Sequence, residues 1–358
     1  MDELTMKNTL LHSIALKEGA DFNYDATAIL NEYKLHQENA TNSTIKILTI
    51  FGGFLASLAF LGFLALAGLY DSKIGLLVVG SVFIIAAIWS NTIYNKLIID
   101  TFSISIYVIG YVVLAIGLDR FQIDENFITL LICCIACCTL IITQGYIISF
   151  ISTLIVNGSI LSLIISNDMY FFIHIYIIFN TLLISYLFLN EANIISVHKK
   201  LTKLYDPLRI GILISLLFGL IAIGKKDLLP IQQIDGWLTS IILITVILYL
   251  TFRITKIIEI ASNKKKFVIY ILSFLLLLLT LFSPSISGAL IILLLSFLVN
   301  YKTGLVIGIV SFIYFISQFY YDLNFTLLTK SIILFSTGMV FLLFYVLITT
   351  YLKAHEKI

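Results

Sequence analysis

Few side chains in this chain can hold charge or move a proton, and a handful of them fall within or beside apolar runs. The densest group is YYDLNFTLLTKS, residues 320–331, which brings together a carboxylate at Asp322, an amide at Asn324, an ammonium at Lys330 and a hydroxyl at Ser331. Asn324 suits a helix N-cap, its side-chain oxygen accepting a backbone N–H. With a helix starting near Phe325, Lys330 lies roughly 7 to 8 Å along the axis by helical rise. An ammonium at that depth must snorkel outward or meet a carboxylate. Asp322 is the nearest in sequence, so the spacing predicts an Asp322 to Lys330 contact that pins the loop to the following helix. The competing use of the group is to bind a substrate or partner.

Two further ionisable residues fall within apolar runs, where charge is rare and marks candidate ion or proton pathways. Asp100 follows Leu97, Ile98 and Ile99, and Lys96 four residues earlier offers an interfacial ion pair on one helix face. His174 lies in MYFFIHIYIIFN with Asn180 on the same stretch. An imidazole there relays protons near neutral pH or simply hydrogen-bonds a neighbouring helix. Asn157 and Gln144 have the same helix-joining use. All four cysteines, Cys133, Cys134, Cys137 and Cys138, fall within about one and a half turns of one predicted helix. Tetrahedral structural sites join separate CxxC knuckles, so these thiols are expected to pack helices, and no metal or cofactor is expected. HExxH, P-loop and GxSxG patterns are missing, as are paired carboxylates at metal-binding spacing. The chain therefore leans away from enzymes.

The elements that position these residues must be membrane helices. Hydrophobic residues make up 60% and charged residues 12%, with a mean hydropathy of +1.07, against roughly a quarter charged in a soluble domain. The net charge of +2 is spread through loops and excludes a nucleic-acid stripe. The expected fold is an all-α polytopic helix bundle of about twelve spans: 46–70, 74–94, 97–118, 127–142, 145–166, 169–189, 208–224, 236–254, 267–282, 286–300, 304–321 and 326–352. Two long apolar stretches are split, one at Thr143, Gln144 and Gly145, the other at Ser283, Pro284 and Ser285, because polar residues with Gly or Pro punctuate helices.

Basic residues test the splits independently. Of the 22 Lys and Arg, Lys73, Arg120, Lys225, Lys226 and Lys330 fall on one side, which leaves seventeen on the side shared by both termini. The positive-inside bias makes that side cytoplasmic, in the inner membrane. Fusing the fourth and fifth spans would reverse everything downstream and divide the same residues fourteen against eight. Trp89, Tyr94, Trp237, Tyr301, Tyr320, Tyr321 and Tyr351 fall near span ends, as interfacial rings do.

Outside the 46–352 bundle, residues 1–45 form a polar cytoplasmic tail without an apolar signal segment near Met1. Ala26, Ile29, Leu30 and Tyr33 give it an amphipathic helical pattern behind Asp25. Residues 353–358 form a second cytoplasmic tail. Residues 190–207 read as an amphipathic linker along the cytoplasmic leaflet, with Ile194, Val197, Leu201, Leu204 and Tyr205 opposite His198, Lys199, Lys200 and Lys203. Gly304 with Gly308, and Gly52 with Ala56, offer small-residue faces for close helix approach.

Tyr320, Tyr321, Asp322, Leu323, Leu327, Leu328, Lys330, Ser331 and Gly338 resemble the C-terminal signature of the bacterial membrane family catalogued as "domain of unknown function 4401". ILTIFGGFLASLAFLGFLAL, residues 47–66, resembles its first helix. The resemblance implies a membrane complex with membrane-protein partners encoded nearby, and it transfers no catalytic residues. Two functions follow as expectations. The first is a scaffolding or assembly component of an envelope complex; the second is a secondary transporter of a small solute, with broken helices near Pro284 and Gly145 supplying its site.

Overall fold

A computed structural model of the chain describes residues 43–322, apart from 94–96, 144, 198, 226–227, 231–235 and 259–262, together with Thr27 and scattered residues between 326 and 346. The amphipathic pattern around Ala26 to Tyr33 lies outside the described residues except at Thr27. Every regular element described is helical: α1 Ser43–Leu66, α2 Lys73–Ile93, α3 Leu97–Arg120, α4 Glu125–Ile142, α5 Tyr146–Ser166 and α6 Phe171–Leu189 come first. The short α7 Glu191–Val197 follows, then α8 Lys199–Gly224, α9 Gly236–Ile257, α10 Asn263–Leu278, α11 Pro284–Leu298 and α12 Lys302–Asp322. Among the described residues, eight helices are long and apolar enough to cross a bilayer, and three shorter apolar helices accompany them. The chain is a multi-span α-helical membrane protein.

Local chemistry sets the breaks. Gly68, at φ +75°, adopts the left-handed backbone that ends the first helical run and starts a 3-10 turn over Leu69–Asp71. Asp124 caps α4, its carboxylate accepting the Asn126 and Phe127 N–H groups at 3.1 and 3.3 Å. The split around Gln144 is present as the break between α4 and α5, and Gln144 itself lies outside the described residues. The two helices pack as an antiparallel pair: Asn126 at the start of α4 and Asn167 just past the end of α5 exchange side-chain hydrogen bonds of 3.0 and 2.8 Å. Pro284 opens α11 at its first position, where its missing N–H has no intrahelical partner to lose.

Contacts also fix which helix ends lie together. α2 and α3 are antiparallel and almost touch along glycines: a Cβ on Gly80 would come 2.7 Å from the Leu114 backbone nitrogen. One on Gly110 would come 2.8 Å from Ile84 Cγ1. The Gly304 and Gly308 face does the same between α11 and α12, with Gly308 against the Leu293 backbone at 3.0 Å, whereas Gly52 has open space around it. In the second half, Ser285 Oγ donates to the Leu220 carbonyl at 2.9 Å near one end of α8, and Tyr301 lies against Arg209 near the other. α11 thus runs antiparallel to α8. Gly236 and Pro284 approach each other, so α9 and α11 start at the same end and α10 returns between them in the chain. The sequence-predicted split at Pro284 is a true reversal.

One boundary differs from the expected one. The linker over residues 190–207 is divided: α7 covers its first part, and its second part is the opening of α8, which runs on without a break to Gly224. Pro207 lies inside α8. It removes one backbone donor and leaves the Lys203 carbonyl without its helical partner, yet burial of Tyr205 and Arg209 on either side holds the helix together.

The core is in two main parts. The larger gathers α6, α8, α9 and α11 around Ile177, Ile184, Leu213, Leu216, Leu243 and Ile291. The smaller gathers α2 to α5 around Tyr107, Tyr111 and Ile148.

Candidate functional site

The sequence-predicted residues are dispersed. Asp322 ends α12, and its two carboxylate oxygens accept from Gln318 Nε2 at 3.1 and 3.2 Å, one turn back on the same helix. Asn324 and Lys330 lie outside the described residues, and with them the Asp322 to Lys330 contact. Ser331 is helical and exposed, and Thr326 and Thr329 share a hydroxyl hydrogen bond of 2.8 Å one turn apart. Every described residue between 326 and 346 is exposed.

Asp100 falls in the first turn of α3, and its expected partner Lys96 lies outside the described residues. His174 is buried in α6, with Nδ1 2.9 Å from Thr239 Oγ1 on α9 and the Phe171 ring 6.5 Å away. Asn180, one and a half turns on, donates to the Tyr176 carbonyl of its own helix at 3.0 Å. Asn157 likewise donates to Thr153. These amides close local helix contacts and do not join His174 in a relay. Cys134, Cys137 and Cys138 are exposed and Cys133 is half-buried, so most of the thiol face points away from the other described helices. Among the described residues, no three His, Cys, Asp or Glu side chains gather as a metal-binding group.

Among the described residues, the most elaborate charged site centres on one of the seventeen basic residues on the side shared by the termini. Arg209, on the second turn after Lys203, has a side chain 7% exposed. Its Nη1 donates to Glu191 Oε1 on α7 at 3.3 Å and its Nη2 contacts Asp206 Oδ1 one turn earlier on α8. The guanidinium also lies 3.8 Å from the Tyr301 ring centroid, 4.9 Å from Tyr205 and 5.4 Å from Phe188. Phe188 and Tyr301 meet edge to face at 5.9 Å. Tyr205 donates its hydroxyl to the Leu187 carbonyl at 3.0 Å, which ties α8 to the end of α6.

Burial pushes the Tyr301 phenol above its ordinary value, against the opposing pull of the Arg209 charge. Four elements therefore converge on one cation: the end of α6, α7, the first half of α8 and the loop into α12. A planar cation that stacks on rings while forking to carboxylates suits this geometry, and a lysine would not. The arrangement is a clasp that fixes the surface helix α7 to the bundle. A signal for it existed in YDPLR, where Asp206 and Arg209 stand at i and i+3 beside an aromatic. Phe188 and Tyr301 come from helix ends far away in sequence, and no local pattern announces them.

The sequence profile of the family described as "Domain of unknown function (DUF4401)" matches residues 43–351, which is most of the chain. No curated protein and no solved structure matches.

Proposed function

We propose that this chain, which belongs to the DUF4401 family, is a scaffolding or assembly component of a bacterial envelope membrane complex. It would sit in the inner membrane through about twelve spans, with both termini in the cytoplasm. The excess of basic residues on one side supports that sidedness. So does the alternation of helix ends, which keeps Arg209 and Tyr301 at one end and Ser285 and Gly224 at the other. The clasp then belongs to the cytoplasmic end, and the 320–331 stretch to the outer end.

The observation that carries the assembly reading is the outward presentation of that stretch. Tyr321, Leu327, Leu328 and Phe335 are each more than 70% exposed. Thr326, Thr329 and Ser331 are exposed among them. Lipid covers exposed leucines, but hydroxyls beside them in a membrane helix favour a protein neighbour that hydrogen-bonds and packs closely. The outward cysteine face of α4 fits the same reading.

A transporter reading has one observation in its favour. Thr181, Ser185, Ser215 and Ser240 are buried among α6, α8 and α9 with hydroxyls that have no hydrogen-bond partner, and buried orphans of this kind often mark water. Co-purification of the full chain from native membranes in mild detergent separates the two. Assembly predicts a stable membrane-protein partner that is lost on Asp322→Ala. Retention of every partner by that variant, with solute flux by the purified chain alone in liposomes, supports transport instead.

A further inference from the structure

We propose that the groove between α9 and α10 is a binding site for one anionic phospholipid, with an acyl chain along its aromatic walls and the phosphate at its basic end. This does not rest on the assembly reading.

The groove has a volume of about 520 Å³ and is lined by Leu248 and Phe252 from α9 and by Phe267, Tyr270, Ile271 and Phe274 from α10. Its walls are almost wholly apolar. The Tyr270 hydroxyl is already engaged, 2.8 Å from Thr255 Oγ1. From Phe267 to Phe274 the groove follows α10 for roughly 10 Å of helical rise, room for the upper part of an acyl chain. Four of its six lining residues are aromatic, and Phe252, Phe267 and Phe274 remain exposed. These rings offer shape to a chain lying against them.

Charge distinguishes this groove from an ordinary lipid-facing crevice. Where α9 ends and α10 begins, Arg253 and Lys256 of α9 and Lys266 of α10 bring three basic side chains to one end of the groove. Lys256 stands one turn beyond Phe252 on nearly the same face of α9, and Lys266 one turn before Tyr270 on nearly the same face of α10. Lys256 is exposed and Lys266 half-buried. Arg253 Nε is buried and has no hydrogen-bond partner, while its guanidinium lies 5.8 Å from the Tyr249 ring centroid. An apolar slot that ends in ammonium groups where two apolar helices meet their connecting loop matches a phospholipid with a net negative headgroup. Basic pockets between membrane helices bind such headgroups through their phosphates.

The test uses the full chain purified in detergent, offered equal amounts of phosphatidylglycerol and phosphatidylcholine with the same acyl chains, with retained lipid read by native mass spectrometry. Phosphatidylglycerol should be retained preferentially, and the K256A/K266A double variant should lower its apparent affinity roughly tenfold or more. Ile271→Trp, which fills the groove, should lower occupancy by both lipids, while Lys73→Ala, at the opposite end of the helices, should change nothing. Soluble glycerol phosphate should not compete, because the acyl chain supplies the anchorage. Equal retention of the two lipids, a K256A/K266A variant that keeps the preference, or displacement by glycerol phosphate would each overturn the proposal. If Ile271→Trp does not fold, the K256A/K266A variant still decides it.

Discussion

Removing the Arg209 guanidinium would leave Glu191 and Asp206 without their shared counter-ion and open a gap between the Phe188, Tyr205 and Tyr301 rings. Loss of one member of a buried pair costs several kcal/mol because the other charge stays behind. Asp206 is more than half exposed and keeps part of its hydration. We therefore expect Arg209→Ala to cost about 3 kcal/mol, the low end of that range, seen as a lower unfolding midpoint in detergent. Arg209→Lys should recover less than half of the loss, since an ammonium cannot stack and fork at once. A midpoint within a degree of the wild type for Arg209→Ala would show that the clasp is ornamental. At the same scale, His174→Ala removes a helix-joining hydrogen bond to Thr239 worth about 1 kcal/mol net. If the bond is all His174 provides, His174→Gln should fold with most of the stability restored, as measured by the same melting experiment.

Two helix pairs, α2 with α3 and α11 with α12, meet backbone to backbone through glycine. At Gly80 an added methyl would collide with the Leu114 backbone, and at Gly110 with Ile84. A backbone neighbour cannot swing aside as a side chain can. Gly80→Ala should therefore destabilise by about 1 to 3 kcal/mol, the usual range for overpacking, whereas Gly52→Ala, with open space around it, should be neutral or slightly stabilising through helix propensity. A scan of unfolding midpoints compares them directly. An equal response at the two sites would mean that α2 and α3 are looser than the packing implies.

These elements also show what the sequence makes legible. Breaks at Gly145 and Pro284 are readable because a donorless ring and a small residue among polar neighbours end helices locally. The Gly304 and Gly308 face is readable from its spacing. Gly80 shares α2 with Gly75 and Gly110 shares α3 with Gly117, but none of these has the four-residue spacing of Gly304 and Gly308, and their closeness appears only once α2 and α3 are paired. The same applies to Arg209. Its i, i+3 partner Asp206 is local, but two of its three rings arrive from α6 and from the turn before α12. Local period and punctuation thus disclose spans, while a site assembled from helix ends depends on the order in which the spans pack.

At the scale of the whole molecule, every functional statement depends on which helix ends share a side of the membrane. Contacts between helices tie Lys73 to Phe121 at one end, with the ammonium 5.9 Å from the ring, and Arg209 to Tyr301 at the other. On the proposed sidedness, which the charge bias supports, the second end is the cytoplasmic one. The direct measurement is labelling of single cysteines, introduced at Gln122 and at Lys203 in a chain whose four native cysteines have been replaced, with a membrane-impermeant maleimide applied to spheroplasts. The account predicts that residue 122 is labelled in intact spheroplasts and that residue 203 is labelled after lysis alone. Labelling of both positions from the same side, or of residue 203 alone in intact spheroplasts, would contradict it.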